Sequence, residues 1–146
     1  MTGGDPGADA PLVPEDLPDL ASLVPFAGTL GVELVAAAPE EVRALMAWAP
    51  EHCTSGGVLH GGALMTLADT VAATCAFLNL PPGATTSTIE SKTNFLRAVT
   101  EGTVEAAARP LHVGRATIVL QTEIADAQGR RVAFTTQTQA VRIPNA

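Results

Sequence analysis

Residues 60–80, HGGALMTLADTVAATCAFLNL, constrain this chain more than any other stretch. Between Ala63 and Leu78 nearly every side chain is apolar or a threonine. Two glycines open the run, and Pro81-Pro82-Gly83 stops it just beyond its end. The run reads as one helix, punctuated at both ends. A helix that is apolar on almost every side has no face to give to water, so burial inside something larger is predicted. Its length and polar interruptions make it a poor membrane span.

One carboxylate, Asp69, sits in the middle of that run. At roughly 100° per residue, Thr66, Asp69, Thr70 and Ala73 share a narrow face, a thin polar stripe on an apolar cylinder. Burying an unpaired carboxylate is costly, so Asp69 needs a partner or a task. Two readings stand open on the residues alone. One is a structural aspartate, held by backbone amides or by an arginine at a subunit contact. The other starts from His60-Gly61-Gly62, upstream of the aspartate. That tripeptide puts unhindered N–H groups at a helix N-terminus, a natural place for an oxyanion.

The length of 146 residues predicts one domain over residues 16–146, after an acidic, Gly- and Pro-rich tail over residues 1–15 that reads as disordered. There is no basic-then-apolar leader, and Cys53 and Cys75 do not make a disulfide framework, so a cytoplasmic location is expected. A net charge of −7 argues against nucleic acid or a membrane as partner. The charge is unevenly spread. Through Glu90 there are eleven acidic residues and one basic one, Arg43; from Ser91 onward there are four acidic residues and seven basic ones. Those seven are Lys92, Arg97, Arg109, Arg115, Arg130, Arg131 and Arg142. They either offer cations to a small polyanion or decorate the solvent faces of strands. His52, Cys53 and His60 lack a further ligand at a metal-binding spacing, so no metal is expected. Neither a nucleophile elbow nor a phosphate loop nor a dinucleotide fingerprint is present, and no cofactor is implied.

Along the chain, residues 16–24 suggest a short helix capped by Asp16 or Asp19 and ended by Pro25. Residues 29–38 and 41–48 alternate loosely around Pro39-Glu40 and read as a hairpin; residues 50–58 read as a loop. After the helix the period becomes two. Residues 85–96, 102–110, 115–124 and 131–142 are strand-like, with turn signals at Thr100-Glu101-Gly102, His112-Val113-Gly114 and Asp126-Ala127-Gln128-Gly129. The expectation is an α+β fold in which these four strands form an antiparallel meander wrapped round one long helix. The edges of such a sheet predict a twofold homo-oligomer joining two sheets or two helices.

Four segments carry a family resemblance: Gly57-Val58-Leu59-His60-Gly61-Gly62-Ala63-Leu64, Leu67-Ala68-Asp69-Thr70, Asn94-Phe95-Leu96-Arg97 and Pro110-Leu111-His112-Val113-Gly114-Arg115. They resemble the hotdog-fold acyl-CoA thioesterases, in particular the phenylacetate-degradation and 4-hydroxybenzoyl-CoA types. The resemblance runs from about Gly31 to Arg142. It implies an antiparallel sheet around a central helix, a coenzyme A thioester as substrate, and a homodimer or homotetramer with active sites shared between subunits.

By that resemblance Asp69 is the carboxylate that activates water or attacks the thioester carbonyl. Gly61 offers the backbone N–H that polarises the thioester oxygen. His60 stands beside that site, either for chemistry or as a structural histidine at the helix entrance. Six residues before His60 the family usually carries Asn or Gln; here Thr54 stands, with Ser55 next to it. A hydroxyl reaching across the dimer is implied at Thr88, or at Ser87 if the register differs by one. For coenzyme A phosphates the resemblance points to the His112-Val113-Gly114-Arg115 turn, with Arg115 first and Arg97 and Lys92 after it. The acyl group is expected along the helix, against Leu64 and Met65. Two rivals share the fold: a hydroxyacyl-thioester dehydratase using His60 and Asp69, and a non-catalytic acyl-CoA sensor.

Overall fold

The computed structural model describes residues 17–145. The tail assigned to residues 1–15 lies outside the described residues. Six strands form one antiparallel sheet: β1 (Glu33–Ala38), β2 (Glu41–Ala47), β3 (Thr85–Phe95), β4 (Thr103–Val113), β5 (Thr117–Ala125) and β6 (Arg131–Arg142). Two short helices, α1 (Leu20–Leu23) and α2 (Pro25–Thr29), precede them, and the long helix α3 (Gly61–Leu78) lies against one face of the sheet.

The sequence explains both ends of α3. His60 is its N-cap, the ring Nδ1 accepting from the Gly62 N–H at 2.8 Å. Asn79 closes the other end, its amide donating at 2.8 Å to the carbonyls of Cys75 and Pro39. That pair of bonds ties the helix to the β1–β2 turn. Between the caps, Leu64, Leu67, Ala68, Val71, Ala72, Cys75 and Ala76 are buried at helical spacing. They meet Ala44, Ala106 and Ala108 from β2 and β4 and Leu120 from β5 in one apolar core. Alanines on both surfaces let the helix axis come close to the sheet. Leu67 and Val71 are fully buried, and cutting Leu67 to alanine is expected to cost about 2–5 kcal/mol.

Four expectations need correction. Only one side of α3 is enclosed; Met65 and Phe77 on the other are 38% and 64% exposed. The expected strand over residues 29–38 begins only at Glu33, because Pro25 takes the first position of α2 and holds the chain helical to Thr29. The chain then turns through Gly31, whose φ of 69° a side chain would resist. The preceding helix is also shorter than residues 16–24: Asp19 caps it by accepting from the Ala21 N–H, and it spans only Leu20–Leu23.

The fourth correction concerns topology. The strand order is β1-β2-β4-β5-β6-β3, so β4, β5 and β6 form a meander while β3 joins the far side of β6. Residues 96–102 are therefore a crossover and not a hairpin turn. It is pinned by the buried side chain of Val99, whose carbonyl accepts from the Leu59 N–H at 2.9 Å, and by Leu96 and Arg97 donating to Val132. β3 ends as an edge strand with a bulge at Ile89, between the pairs Thr88–Gln139 and Glu90–Thr138. The extra residue resets the side-chain parity of the strand, so Thr88 and Ser91 both face the helix.

Candidate active site

Asp69 projects from α3 towards β3 and β6. Its Oδ1 accepts the Thr88 hydroxyl at 2.8 Å and the Gln137 side-chain amide at 3.0 Å. Behind Thr88, Gln139 donates to its Oγ1 at 2.7 Å, and Gln139 in turn accepts from Thr86 at 3.1 Å. Asp69 is thus held by side chains, and neither backbone amides nor an arginine are its partners among the described residues. Its second oxygen, Oδ2, has no partner among the described residues. Thr88 reaches the Asp69 of its own chain, where a hydroxyl from across a dimer was expected. Ser87 points the other way and accepts from Arg142 at 3.3 Å.

Gln137 and Gln139 are fully buried, and sequence reading did not single them out. The signal was present in β6, Arg131–Arg142, where alternation sends residues 133, 135, 137 and 139 to the same face. Two amides among inward positions are a departure from a purely apolar face. Gln137 Oε1 and the Thr122 hydroxyl, both buried, find no hydrogen-bond partner among the described residues. An unpaired buried polar atom costs about 1–3 kcal/mol.

The polar stripe of α3 opens onto two cavities that meet at Asp69. One, of about 510 Å³, lies towards the C-terminal end of the helix, between Leu23, Leu34, Thr70, Ala73 and Phe77. The other, of about 340 Å³, holds Met65, Thr66, Thr88 and Ser91. Met65 is therefore at the site, whereas Leu64 is in the core and cannot touch an acyl group there.

The helix N-terminus makes a separate cluster. Gly61 heads α3 with its N–H taking no backbone acceptor among the described residues. A Cβ on Gly61 would stand 3.0 Å from the Phe95 ring, and one on Gly62 would stand 3.0 Å from His60 Nδ1. Neither glycine is needed for an unusual φ; both are needed for close approach. His60 spends Nδ1 on the cap and leaves Nε2 at a third, 200 Å³ cavity shared with His52 and Cys53. Thr54 lies in the tight turn just before this cluster, its N–H bonded to Val58 at 2.8 Å, and is exposed.

The anion candidates are scattered. Arg115 sits in the β4–β5 turn, beside which the Val141 N–H bonds the Ala116 carbonyl. Gly114 is packed so closely on His112 that a Cβ would lie 2.6 Å from its ring nitrogen. Arg97 sits at the opposite end of β6, next to Val132. Lys92 pairs with Thr136 on the face turned away from α3, the inward neighbours being Thr93 and Thr135. Arg109, Arg130 and Arg131 are committed to Glu41, Asp126 and Glu123. Lys92, Arg97 and Arg115 form no ion pair among the described residues.

Residues 56–133, more than half of the chain, match the thioesterase superfamily. The chain belongs to that family. This thioesterase is 40% identical to ComA2 of Bacillus subtilis over 77% of its own length and 90% of that protein. It is 35% identical to the proofreading thioesterase EntH of Cronobacter turicensis, over 58% of its length and 62% of EntH. Thioesterase HI1161 of Haemophilus influenzae superposes with a TM-score of 0.82 at 30% identity, covering 89% of this chain and 90% of that one. The fold is the hotdog fold, and the chain is a thioester hydrolase. Family membership selects hydrolysis over the dehydratase and sensor readings.

Proposed function

We propose that this thioesterase hydrolyses an aryl- or alkyl-CoA thioester to the free acid and coenzyme A. The observation that carries the reading is Asp69 itself. It is a half-buried carboxylate with two donors on Oδ1 and, among the described residues, none on Oδ2, at the rim of an apolar cavity of about 510 Å³. That volume suits one apolar acyl group. Oδ2 takes a proton from the attacking water, or attacks the carbonyl carbon itself to give an anhydride that water then opens. In either route the C–S bond breaks, the sulfur departs with the bonding pair, and the proton given up by water goes to it, so that coenzyme A leaves as the thiol.

The oxygen of the thioester goes to the Gly61 N–H at the positive end of the helix. Gly61 and Asp69 stand about 12 Å apart along one helix at 1.5 Å per residue. One carbonyl cannot reach both. The site is therefore made by two chains of a homodimer or homotetramer, Gly61 from one and Asp69 with Thr88 from the other. His60 keeps the helix N-terminus capped through Gly62, which leaves the Gly61 N–H outward. Thr54 supplies a hydroxyl beside it. Arg115 receives a coenzyme A phosphate with His112 and Gly114 shaping the turn; Arg97 and Lys92 are second choices, at the other end of β6 and on the outer face of β3. Cys53 and Cys75 are unpaired, which suits a reducing cytoplasm.

Thiol release from a panel of aryl- and alkyl-CoA thioesters, with wild type against Asp69→Asn, tests the reading. Turnover is expected to fall about 100-fold or more while the variant melts like wild type. Equal turnover would return Asp69 to a structural role. Release from simpler thioesters but from no CoA thioester would remove coenzyme A from the proposal. Sedimentation of the same samples reads the number of chains.

A further inference from the structure

We infer that Gln137 is a positioning residue for the reaction: its amide and the Gln139–Thr88 relay fix the Asp69 carboxylate so that Oδ2 alone meets the substrate. The inference rests on the reading of Asp69 given above. Gln137 is fully buried on the inward face of β6 and donates to Oδ1 at 3.0 Å. Thr88 donates to the same oxygen at 2.8 Å. Two donors from two strands, converging on one oxygen, leave the carboxylate no free rotation about its last bond.

The direction of the relay is also fixed. A threonine hydroxyl can turn its proton several ways. Here Gln139 Nε2 donates to Thr88 Oγ1 at 2.7 Å, so the Thr88 proton is left to point at Asp69. The carboxylate of Asp69 can only accept, which fixes the same direction, while the single proton of Thr86 Oγ1 is shared between the Ala140 carbonyl at 2.9 Å and Gln139 Oε1 at 3.1 Å. Gln137 turns its donor end to the carboxylate, and Gln139 turns its donor end to Thr88.

For Gln137 the gain from this bond is offset by an orphaned atom. Its Oε1 is buried without a partner among the described residues. Turning the amide over would satisfy nothing at Asp69 and would set two oxygens against each other. A leucine or methionine would fill the same space without an orphaned atom, as Leu120 does on the neighbouring strand. A group that is awkward for the fold and bonded to the reactive carboxylate is better explained by orientation than by packing. Misplacing a reacting group by as little as about 1 Å can cost 100-fold in rate.

The test is Gln137→Met in the full-length protein, which keeps the volume and removes the donor. The expected result is a kcat lower by about 10- to 100-fold, a KM within about twofold of wild type and a melting temperature no lower than wild type. In the Asp69→Asn background the same substitution is expected to do nothing more, because it acts only through that carboxylate. Should Gln137→Met not fold, Gln139→Met serves. It is expected to lower kcat in wild type and to have no further effect once Thr88 is valine. Wild-type kcat in the two methionine variants, with Asp69→Asn inactive, would overturn the inference and leave the role of Asp69 intact. Full activity in Asp69→Asn would instead overturn the reading on which it rests. A loss that adds to that of Asp69→Asn would mark Gln137 as structural.

Discussion

The ring of Phe95, at the end of β3, comes within 3.0 Å of the point where a Cβ on Gly61 would stand. A strand residue thereby dictates the identity of the first residue of the central helix. Gly61→Ala must push the half-exposed ring aside. In the Gly61→Ala/Phe95→Ala double variant that obstacle is gone, and alanine is the better helix former by up to about 1 kcal/mol. Thermal melts are expected to rank the double variant above Phe95→Ala and Gly61→Ala below wild type. A Gly61→Ala protein as stable as wild type would show that the ring gives way freely.

His60 separates its two expected roles by substitution. Losing the bond from Gly62 N–H to His60 Nδ1 removes an N-cap, worth about 0.5–2 kcal/mol. Urea denaturation is expected to show that loss in His60→Ala and its recovery in His60→Asn, since asparagine caps equally well. If the asparagine variant also recovers thioester turnover, the histidine serves the helix and not the chemistry.

Ala73 lies on the floor of the 510 Å³ cavity, one turn beyond Asp69. Ala73→Phe places a ring in that space. Hydrolysis of long-chain and aryl thioesters is expected to fall about tenfold or more, whereas the acetyl thioester, which needs none of the cavity, keeps its rate. A uniform loss on all substrates would put the acyl group elsewhere.

Burial pushes the Cys75 thiol up from 9.0 to about 11, with Glu40 and Glu41 adding to the rise. The folded protein therefore keeps a proton that the unfolded chain releases, and stability falls as pH rises between those two values. The loss is on the order of 2–3 kcal/mol across that window. Denaturation midpoints from pH 8 to 11 are expected to drop more steeply in wild type than in Cys75→Ala. Parallel slopes would assign the alkaline loss to other groups.

Much of this architecture is legible in local pattern. The apolar run, its Gly-Gly opening and its Pro-Pro-Gly stop mark α3 within two residues of its ends, and the alternation in residues 131–142 marks β6. Asp69 stands out because it is the one charge in an apolar helix. The partner of β3 is not legible. It pairs with β6 and not β4, and the crossover that follows is tied down by Val99 on Leu59, a contact no local pattern encodes. The same holds for α2, where Pro25 ends one helix and begins another. Gln137 hid for a different reason. In an alternating strand of threonines and glutamines, the face that meets the core is decided by the parity of β6 against β5 and by a bulge in β3.

The two donors on Asp69 lie 19 and 68 residues beyond it in the chain. The carboxylate comes off the ribosome long before the strand that orients it, and α3 can form while its reactive group still has nothing to hold it. Loop closure over such a span is slow compared with helix formation. Assembly of the site therefore waits for the docking of β6. A chain stopped before residue 131 carries Asp69, Gly61 and Thr88 and still has no organised carboxylate.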